Sequence, residues 1–422
     1  MARQSGRSRP LESLSPALLV LLLVLAAVAA GCGGEAGTTP SPTGPAASSS
    51  QSAGGDASPA PVAILAFAAG AKGDTLAAMA ADGSVVVLVP GDGRPLSDVR
   101  WSPDGRRIGY LRHPSYLSSE TTLMVYDVAA ETTAEVAFGA APPAMVFGWT
   151  WVSPTELVAA AFASVPRETR SDGTLYRCDV AAGSAEPLRD SAGAPLHGQH
   201  PSASADGRLL AYLTFAPGGS PRVLVETLAL LDLPAGTVKT VARARDDARL
   251  VEAYTFGAPL LSPDGTLVYT RRNRVGPDFS VGILAADGAP VATLGSLAWP
   301  SGAAWDPSGG DRVVFGGSVP EYGEPSGPAP PRRPVRIRIW DAAAAGGSGS
   351  VLVRALRRGP LRDFAWSPDG RWVAFTVASP RHDYATTDLY VMRVRGGHGG
   401  RPALVRRDAG CPSWALAELP GE

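Results

Sequence analysis

The stretch FAWSPDGRWVAF, residues 364–375, contains the five residues Trp-Ser-Pro-Asp-Gly, which also occur at residues 101–105 within VRWSPDGRRIGY. Ser-Pro-Asp-Gly is typical of a type I turn. Ser and Pro take its first two positions, Asp is tolerated at the third, and Gly adopts the positive φ that closes a hairpin with a bulge. The motif therefore predicts a tight turn between two strands, and its recurrence indicates a repeated structural unit.

Related turns recur at intervals of roughly 44 to 60 residues. They are SPTE at 153–156, SADG at 204–207, SPDG at 262–265 and DPSG at 306–309. Each turn is followed by a β-type run, by a third run that ends in a second turn, and by a short fourth strand. An example is RRIGYL 106–111, LMVYDVAAE 123–131 and EVAF 135–138. Six complete four-stranded units are predicted.

The two ends of the repeat region complement each other. ILAFAA 64–69, TLAAMAADG 75–83 and SVVVLV 84–89 match strands two to four of a unit, whereas CPSWAL 411–416 matches a first strand. Pairing them completes a seventh unit and removes free sheet edges. The sequence therefore predicts an all-β, seven-bladed β-propeller of four-stranded antiparallel blades, closed by N- and C-terminal strands that share one blade. Six or eight blades are the alternatives, because the third blade is the weakest match.

The first 31 residues have the pattern of a secretory signal. Arg3, Arg7 and Arg9 precede the apolar run 17–30, whose 14 residues are fewer than the ~20 that a membrane-spanning helix needs. Small residues stand directly before Cys32, and this arrangement resembles the lipobox of bacterial lipoproteins, whose cysteine is acylated and becomes the mature N-terminus. The resemblance implies lipidation of Cys32. Ordinary secretion and an uncleaved anchor are the alternatives.

Composition divides the rest of the chain. Residues 32–61 are rich in Ser, Pro and Gly and have almost no bulky apolar side chains, so we expect a disordered tether. Residues 62–417 form the predicted propeller, and residues 418–422 are a C-terminal tail. Cys178 and Cys411 fall in non-adjacent units, which predicts two unpaired thiols. The formal net charge of −1 makes nucleic acid an unexpected partner.

The repeat motif itself supports a family resemblance. Trp366–Gly370, followed by an aromatic-rich strand and by LYVM at 389–392, resembles the TolB-type, WD-like propeller repeats of bacterial envelope proteins. The resemblance covers about residues 62–417 and implies a fold, not an activity. TolB itself has an extra α/β domain before a six-bladed ring and is soluble, so its outer-membrane lipoprotein partner is not carried over to this chain.

A binding surface is expected on one face of the propeller. If tight turns join strands one to two and three to four, the longer connections emerge on the opposite face, which favours recognition there. Arginines on that face can form bidentate bonds with carboxylate or phosphate, although a solvated strand end is the simpler interpretation. The candidate binding residues are His113, His197, His200, Arg271, Arg272, Arg274, Arg381, His382, Asp383 and Tyr384.

A metal site is a weak alternative. The imidazoles of HGQH 197–200 could approach one ion, but a third ligand would have to come from His382 or Asp383 in a remote blade. Loop histidines without a function are commoner, so we expect no metal and no other cofactor.

Known catalytic motifs are missing from the sequence, including the nucleophile elbow, the zinc-protease helix, the P-loop and the EF-hand. Asp104, Asp264 and Asp369 each belong to a separate hairpin turn, so they are not paired acids. We expect a monomeric, lipid-anchored, extracytoplasmic propeller that binds an envelope protein, peptide or glycan without catalysis. The alternatives are a carbohydrate hydrolase or lyase at the central channel and a sensory accessory to a membrane receptor. Carboxylates and histidines at the channel mouth would favour the enzyme, and an aromatic and arginine patch would favour binding.

Overall fold

The computed structural model describes residues 62–417 except 71, 81, 116–117, 139–142, 166–171, 218–222, 248–257, 274–277, 299–301, 310, 318–335, 342–349, 352–360, 380–385 and 396–397. This part of the chain contains 29 strands and no helix. In chain order they are β1 Val62–Ala69, β2 Thr75–Met79, β3 Val85–Val89, β4 Leu96–Trp101, β5 Arg107–Arg112, β6 Thr122–Asp127, β7 Thr132–Glu135, β8 Met145–Trp151, β9 Glu156–Phe162, β10 Gly173–Asp179, β11 Ser184–Pro187, β12 His197–Ala203, β13 Leu209–Pro217, β14 Val223–Asp232, β15 Thr237–Asp247, β16 Leu260–Leu261, β17 Leu267–Asn273, β18 Asp278–Ala285, β19 Pro290–Ala298, β20 Ala303–Trp305, β21 Arg312–Gly317, β22 Arg336–Asp341, β23 Ser350–Val351, β24 Leu361–Trp366, β25 Trp372–Ala378, β26 Thr387–Arg395, β27 His398–Gly399, β28 Ala403–Arg406 and β29 Ala409–Ala417.

The strands form six antiparallel sheets, which agrees with the predicted all-β fold class. Four sheets have the orders β4-β5-β6-β7, β16-β17-β18-β19, β20-β21-β22-β23 and β29-β1-β2-β3. A fifth has the order β24-β25-β26-β27, with β28 also paired to β26. The sixth contains β8–β11 and β12–β15, joined where β10 meets β12 at the pairs Gly173–Gly198 and Thr174–His197. Most strands therefore belong to sets of four that are consecutive in sequence.

The two ends of the described chain share one sheet. Strand β29 pairs antiparallel with β1, and Leu65 stands opposite Trp414. Strands β2 and β3 complete this sheet. The prediction that a C-terminal first strand joins three N-terminal strands is confirmed.

The Ser-Pro-Asp-Gly turns have the predicted geometry. In the turn after β4, the Gly105 amide donates to the Ser102 carbonyl over 3.0 Å, and Gly105 has a φ of +68°. The Ser102 hydroxyl donates to Asp104 over 2.6 Å and accepts from the Arg107 amide over 2.9 Å. The turns that begin at Ser204, Ser262 and Ser367 repeat these contacts. The turn aspartates therefore stabilise their own hairpins.

The turn at residues 306–309 replaces serine with a buried aspartate. The Asp306 carboxylate is inaccessible to solvent and accepts from Arg312 through Nε over 2.8 Å and through Nη2. Arg312 also donates to the Gly370 carbonyl over 3.2 Å, and its guanidinium lies 5.1 Å from the centre of the Trp366 ring. One buried ion pair thus connects this turn to the neighbouring sheet.

Apolar side chains fill the spaces between neighbouring sheets. Trp149 of β8 is fully buried and packs against Gly109 of β5, where any Cβ would collide with the indole ring. Cys178 is buried in the same cluster, and its thiol and that of Cys411 are both free, as predicted. Burial raises the pKa of Cys178 to about 12, so this thiol stays protonated. A search of the described residues finds no helix that could cross a bilayer.

Candidate ligand-binding site

The first strands of successive four-strand sets contact one another. Because β29 supplies the first strand of the N-terminal sheet, these strands are β29, β4, β8, β12, β16, β20 and β24. Three tryptophans at strand ends donate from Nε1 to a carbonyl of the neighbouring first strand. These bonds are Trp151 to Arg100 over 3.2 Å, Trp305 to Leu260 over 2.8 Å and Trp366 to Ala304 over 3.0 Å. At these three positions the tryptophan links adjacent sheets, whereas the buried Nε1 of Trp101 makes no such bond.

Three further hydrogen bonds join neighbouring first strands. They are Leu261 N to Ser202 Oγ over 3.0 Å, Trp101 N to Ser413 Oγ over 3.1 Å and Cys411 N to Asp363 Oδ2 over 3.3 Å. Strands β8 and β12 also meet, since a Cβ on Gly148 would lie 3.3 Å from His200 Cα. The first strands are thus connected from set to set.

Several first strands are irregular at the same position, three residues before the strand-end residue. The pairing register shifts around this position in β4, β8, β12 and β24. Asp98 and His200 have φ values of 51° there, and Gly148 has a φ of 100°. Cys411, three residues before Trp414 in β29, has a φ of 52°. Bulges re-aim side chains and often lie beside binding sites. Asp363 is the corresponding residue of β24.

Two cavities open beside these positions. The first, which we call the closing-strand cavity, has a volume of about 260 Å³ and is lined by Lys72, Ser97, His113, Arg362, Asp363, Thr386, Asp408 and Cys411, among others. The second, the Phe147 cavity, has a volume of about 430 Å³ and is lined by Asp98, Leu111, His113, Thr121, Met145, Val146, Phe147, Val165, Gln199 and His200, among others. His113 lies on the boundary of both cavities.

His113 is held in place by neighbouring groups. Its Nε2 lies 2.8 Å from Ser97 Oγ, and its ring also hydrogen-bonds the Ser118 backbone. Burial lowers the pKa of His113 below its ordinary value, which favours the neutral imidazole at neutral pH. His113 therefore forms an uncharged partition between the two cavities.

Acidic groups surround the thiol of the closing strand. The Asp363 carboxylate accepts from the Cys411 amide and from the Thr376 hydroxyl over 3.2 Å. Burial raises the pKa of Asp363, and the Asp98 charge raises it further. Burial also raises the pKa of the Cys411 thiol, and the Asp363 charge adds to this effect. Cys411 is therefore a protonated thiol and a poor nucleophile.

The structure separates the predicted site residues. His113 and His200 line the Phe147 cavity together, whereas His197 is exposed, lies 3.4 Å from Thr174 Oγ1 and lines neither cavity. The placement of His197 and His200 in a loop is wrong, because both belong to β12, where His197 pairs with β10 and Gln199 with β13.

The arginine prediction also changes. Arg271 and Arg272 lie near the end of β17, opposite Val281 and Ser280 of β18, so the expected long connection does not begin at Arg271 and the strand-end interpretation describes their position. Strand pairing extends β17 through these polar residues. The side chains of Arg271 and Arg272 lie outside the described part of the structure, as do residues Arg274, Arg381, His382, Asp383 and Tyr384.

Sequence reasoning missed Asp98, Phe147, Asp363 and Cys411. A signal was present, because Asp98, Asp363 and Cys411 each stand three residues before a tryptophan of a first strand. Within the described residues, no group of three or more His, Cys, Asp or Glu side chains is placed to hold a metal ion.

Comparison with known proteins finds similarity in structure but none in sequence. No family model matches the sequence, and no curated protein matches it. A hypothetical selenium-binding protein from Sulfolobus tokodaii is 10% identical, with a TM-score of 0.51 over 87% of this chain and 96% of that chain. An oligogalacturonate lyase in complex with manganese is 15% identical, with a TM-score of 0.50 over 81% of this chain and 84% of that chain.

A TolB protein from Acinetobacter baumannii is 14% identical, with a TM-score of 0.43 over 85% of this chain and 67% of that chain. At these sequence identities, the structural similarity shows a shared fold and says nothing about a shared activity. The four-strand sets and the similarities at 0.50 and above show a β-propeller fold, which is the fold that the resemblance to TolB-type repeats implied.

Proposed function

We propose that this protein is a monomeric, lipid-anchored, extracytoplasmic propeller that binds a partner of the cell envelope at its channel mouth. Dividing the eight-stranded sheet between β10 and β12 gives six sets of four strands beside the five-stranded sheet β24–β28, which supports seven blades. The contacts between first strands support a closed ring. The proposed anchor at Cys32 rests on the signal pattern of the sequence and lies outside the described residues.

The observation that carries the binding proposal is the meeting of two cavities at His113. Both cavities open where the connections between second and third strands emerge. His113 follows β5, and Val165 follows β9. Concave, largely apolar surfaces with a few placed polar groups are typical of ligand sites. Their position on the face with long connections agrees with the expected recognition surface.

The cavities contain carboxylates and histidines, the residue types expected of an enzyme, but the contacts of these groups within the protein support binding over catalysis. Asp98 is paired with Arg100 over 2.8 Å, His113 is held as a neutral ring, and the Cys411 thiol is protonated. An activated cysteine needs a lowered pKa, whereas burial raises the pKa of Cys411. We therefore propose a recognition module.

A carbohydrate hydrolase or lyase is the second candidate, because Asp363 has a raised pKa and lies at a cavity with His113. A raised pKa is a property of general acids. Incubation with a panel of acidic and neutral oligosaccharides tests this function. Turnover that Asp363→Asn abolishes would establish it in place of the recognition module.

Capture from detergent-solubilised envelope tests binding. We expect a partner to be retained by the full chain, and to be lost when Val165→Glu places a charge at the rim of the Phe147 cavity. Arg106→Glu is the control, because Arg106 is exposed beside a tight turn at the other end of the strands. Equal retention by both variants would contradict binding at the channel mouth.

We expect Cys32→Ser to prevent acylation and to leave the protein unprocessed or released from the membrane. The reason is that a diacyl anchor needs the cysteine thiol, and each buried methylene contributes ~0.8 kcal/mol to membrane binding. Labelled palmitate and membrane fractionation measure the effect. Acylation that persists in the variant would refute the anchor, whereas unchanged thermal unfolding would show that the propeller is intact.

A further inference from the structure

We propose that the Phe147 cavity binds an apolar side chain of a peptide segment, and that the partner is therefore a protein or peptide and not a glycan. This inference rests on the proposed binding function and names the chemistry of its ligand. It follows from the lining of the cavity and from the different character of the cavity beside it.

Three polar side chains of the Phe147 cavity, those of Thr121, Asp98 and His113, are already engaged with the protein. The Thr121 hydroxyl donates to the Val146 carbonyl over 2.9 Å and accepts from the Val146 amide over 2.7 Å. Asp98 is bound by Arg100, and His113 by Ser97. A sugar needs binding groups that replace the water around its hydroxyls, because an unpaired polar group is costly to bury. These side chains are poorly placed to do so.

Apart from Ser119, Gln199 and His200, the remaining wall of the Phe147 cavity is apolar. Leu111, Met145 and Val146 are buried, and Val165 lies at an exposed edge. Phe147 is packed edge-on against Phe162 at 6.3 Å and lies 4.8 Å from the His200 ring, measured between centroids. A fixed aromatic ring beside aliphatic groups offers a surface for a branched or aromatic side chain. A cavity of about 430 Å³ is large enough for such a group.

The closing-strand cavity differs from the Phe147 cavity in its charged lining. It continues from the other side of His113 and contains two cations, Lys72 and Arg362, and two acids, Asp363 and Asp408. Groups of both signs beside an apolar pocket suit a peptide, whose backbone amides and polar side chains flank an apolar residue. An acyl chain would require a longer apolar surface.

The proposal is tested by selecting random heptapeptides, displayed on phage, for binding to the full chain in lipid nanodiscs. A glycan array is probed with the same protein in parallel. We expect the selected peptides to share one aromatic or branched aliphatic residue. Changing that residue to serine in a synthetic copy is expected to raise Kd by about tenfold or more, since burial of an apolar side chain is worth ~1.5–3 kcal/mol.

Two valine variants provide the matched comparison. Val165 lines the Phe147 cavity and is 38% exposed, whereas Val238 is 45% exposed on β15 and lines neither cavity. Val165→Glu is expected to raise Kd by about tenfold or more, and Val238→Glu by less than about twofold. Equal thermal unfolding of the two variants shows that folding is not the cause.

Any of the following results would overturn the inference. Peptides without a shared apolar residue, or equal effects of the two variants, would show that the Phe147 cavity is not the apolar pocket. Glycan binding that Val165→Glu weakens would assign this cavity to carbohydrate, while the proposed binding function survives. Failure to bind peptides, glycans and envelope proteins alike would reject that function as well.

Discussion

Replacing Asp306 with alanine is expected to lower the free energy of unfolding by about 3–5 kcal/mol, because removal of one partner from a buried ion pair leaves an uncompensated charge. Arg312 would lose its carboxylate while it stays packed against Trp366 and the Gly370 carbonyl. Urea unfolding followed by tryptophan fluorescence measures the change. The effect extends to a second sheet, because Arg312 links the turn after β20 to the turn after β24.

Asp104→Ala is the matched control for this variant. Asp104 occupies a turn of the same kind and accepts from Ser102, but it is exposed to solvent. We expect a much smaller loss of stability, because water can replace the missing group. Equal losses at Asp104 and Asp306 would show that the buried ion pair does not hold the two sheets together.

Deletion of residues 409–422 is expected to abolish the cooperative unfolding transition. This change removes β29, leaves β1 with an unpaired edge and exposes Leu65 and Phe67, which are fully buried in the intact chain. The stability of a whole domain is only about 5–15 kcal/mol, so we expect the loss of a strand that covers buried side chains to exceed what the fold can tolerate. Circular dichroism and amide hydrogen exchange of residues 62–69 measure the outcome.

Deletion of residues 418–422 is the control, because these residues follow β29. We expect it to preserve the transition and the protection of the β1 amides. A chain that lacks β29 but retains protection in residues 62–69 would contradict the role of β29 as the partner of β1.

Local turn chemistry explains why much of the fold was predictable. Ser-Pro-Asp-Gly sets its own hydrogen bonds within six residues, so the hairpins after β4 and β24 follow from sequence. The pairing of the chain ends follows from the phase of the repeat, because CPSWAL has the pattern of a first strand and ILAFAA that of a second. Neither inference requires knowledge of distant contacts.

Strand extension was not predictable in the same way. His197 and His200 lie in a polar, glycine-containing segment that indicates a loop, but its pairing with β10 and β13 makes it a strand. Arg271 and Arg272 likewise continue β17 because β18 runs beside them. Tertiary pairing overrides local preference in strands, whose stability depends on cross-strand neighbours.

The candidate site depended on geometry that the sequence did not contain. The Phe147 cavity draws Asp98, Phe147 and His200 from three separate sheet segments. Bulges determine where Asp98 and His200 lie, and a bulge results from the register of two strands rather than from one residue type. His113, a candidate from the sequence, directly follows β5 and lines both cavities, and its role in binding stays a prediction.

A cysteine cross-link between the first and last strands tests the central claim most directly. Ala63 and Leu416 are paired across β1 and β29, within reach of a disulfide, whereas Val87 lies on β3, two strands from β1. Mild oxidation of the Ala63→Cys, Leu416→Cys protein should give an intramolecular bond, identified by mass spectrometry of the joined peptides, while Ala63→Cys, Val87→Cys should give none. Failure of the first pair to join, or joining of the second pair alone, would contradict a sheet built from both ends of the chain.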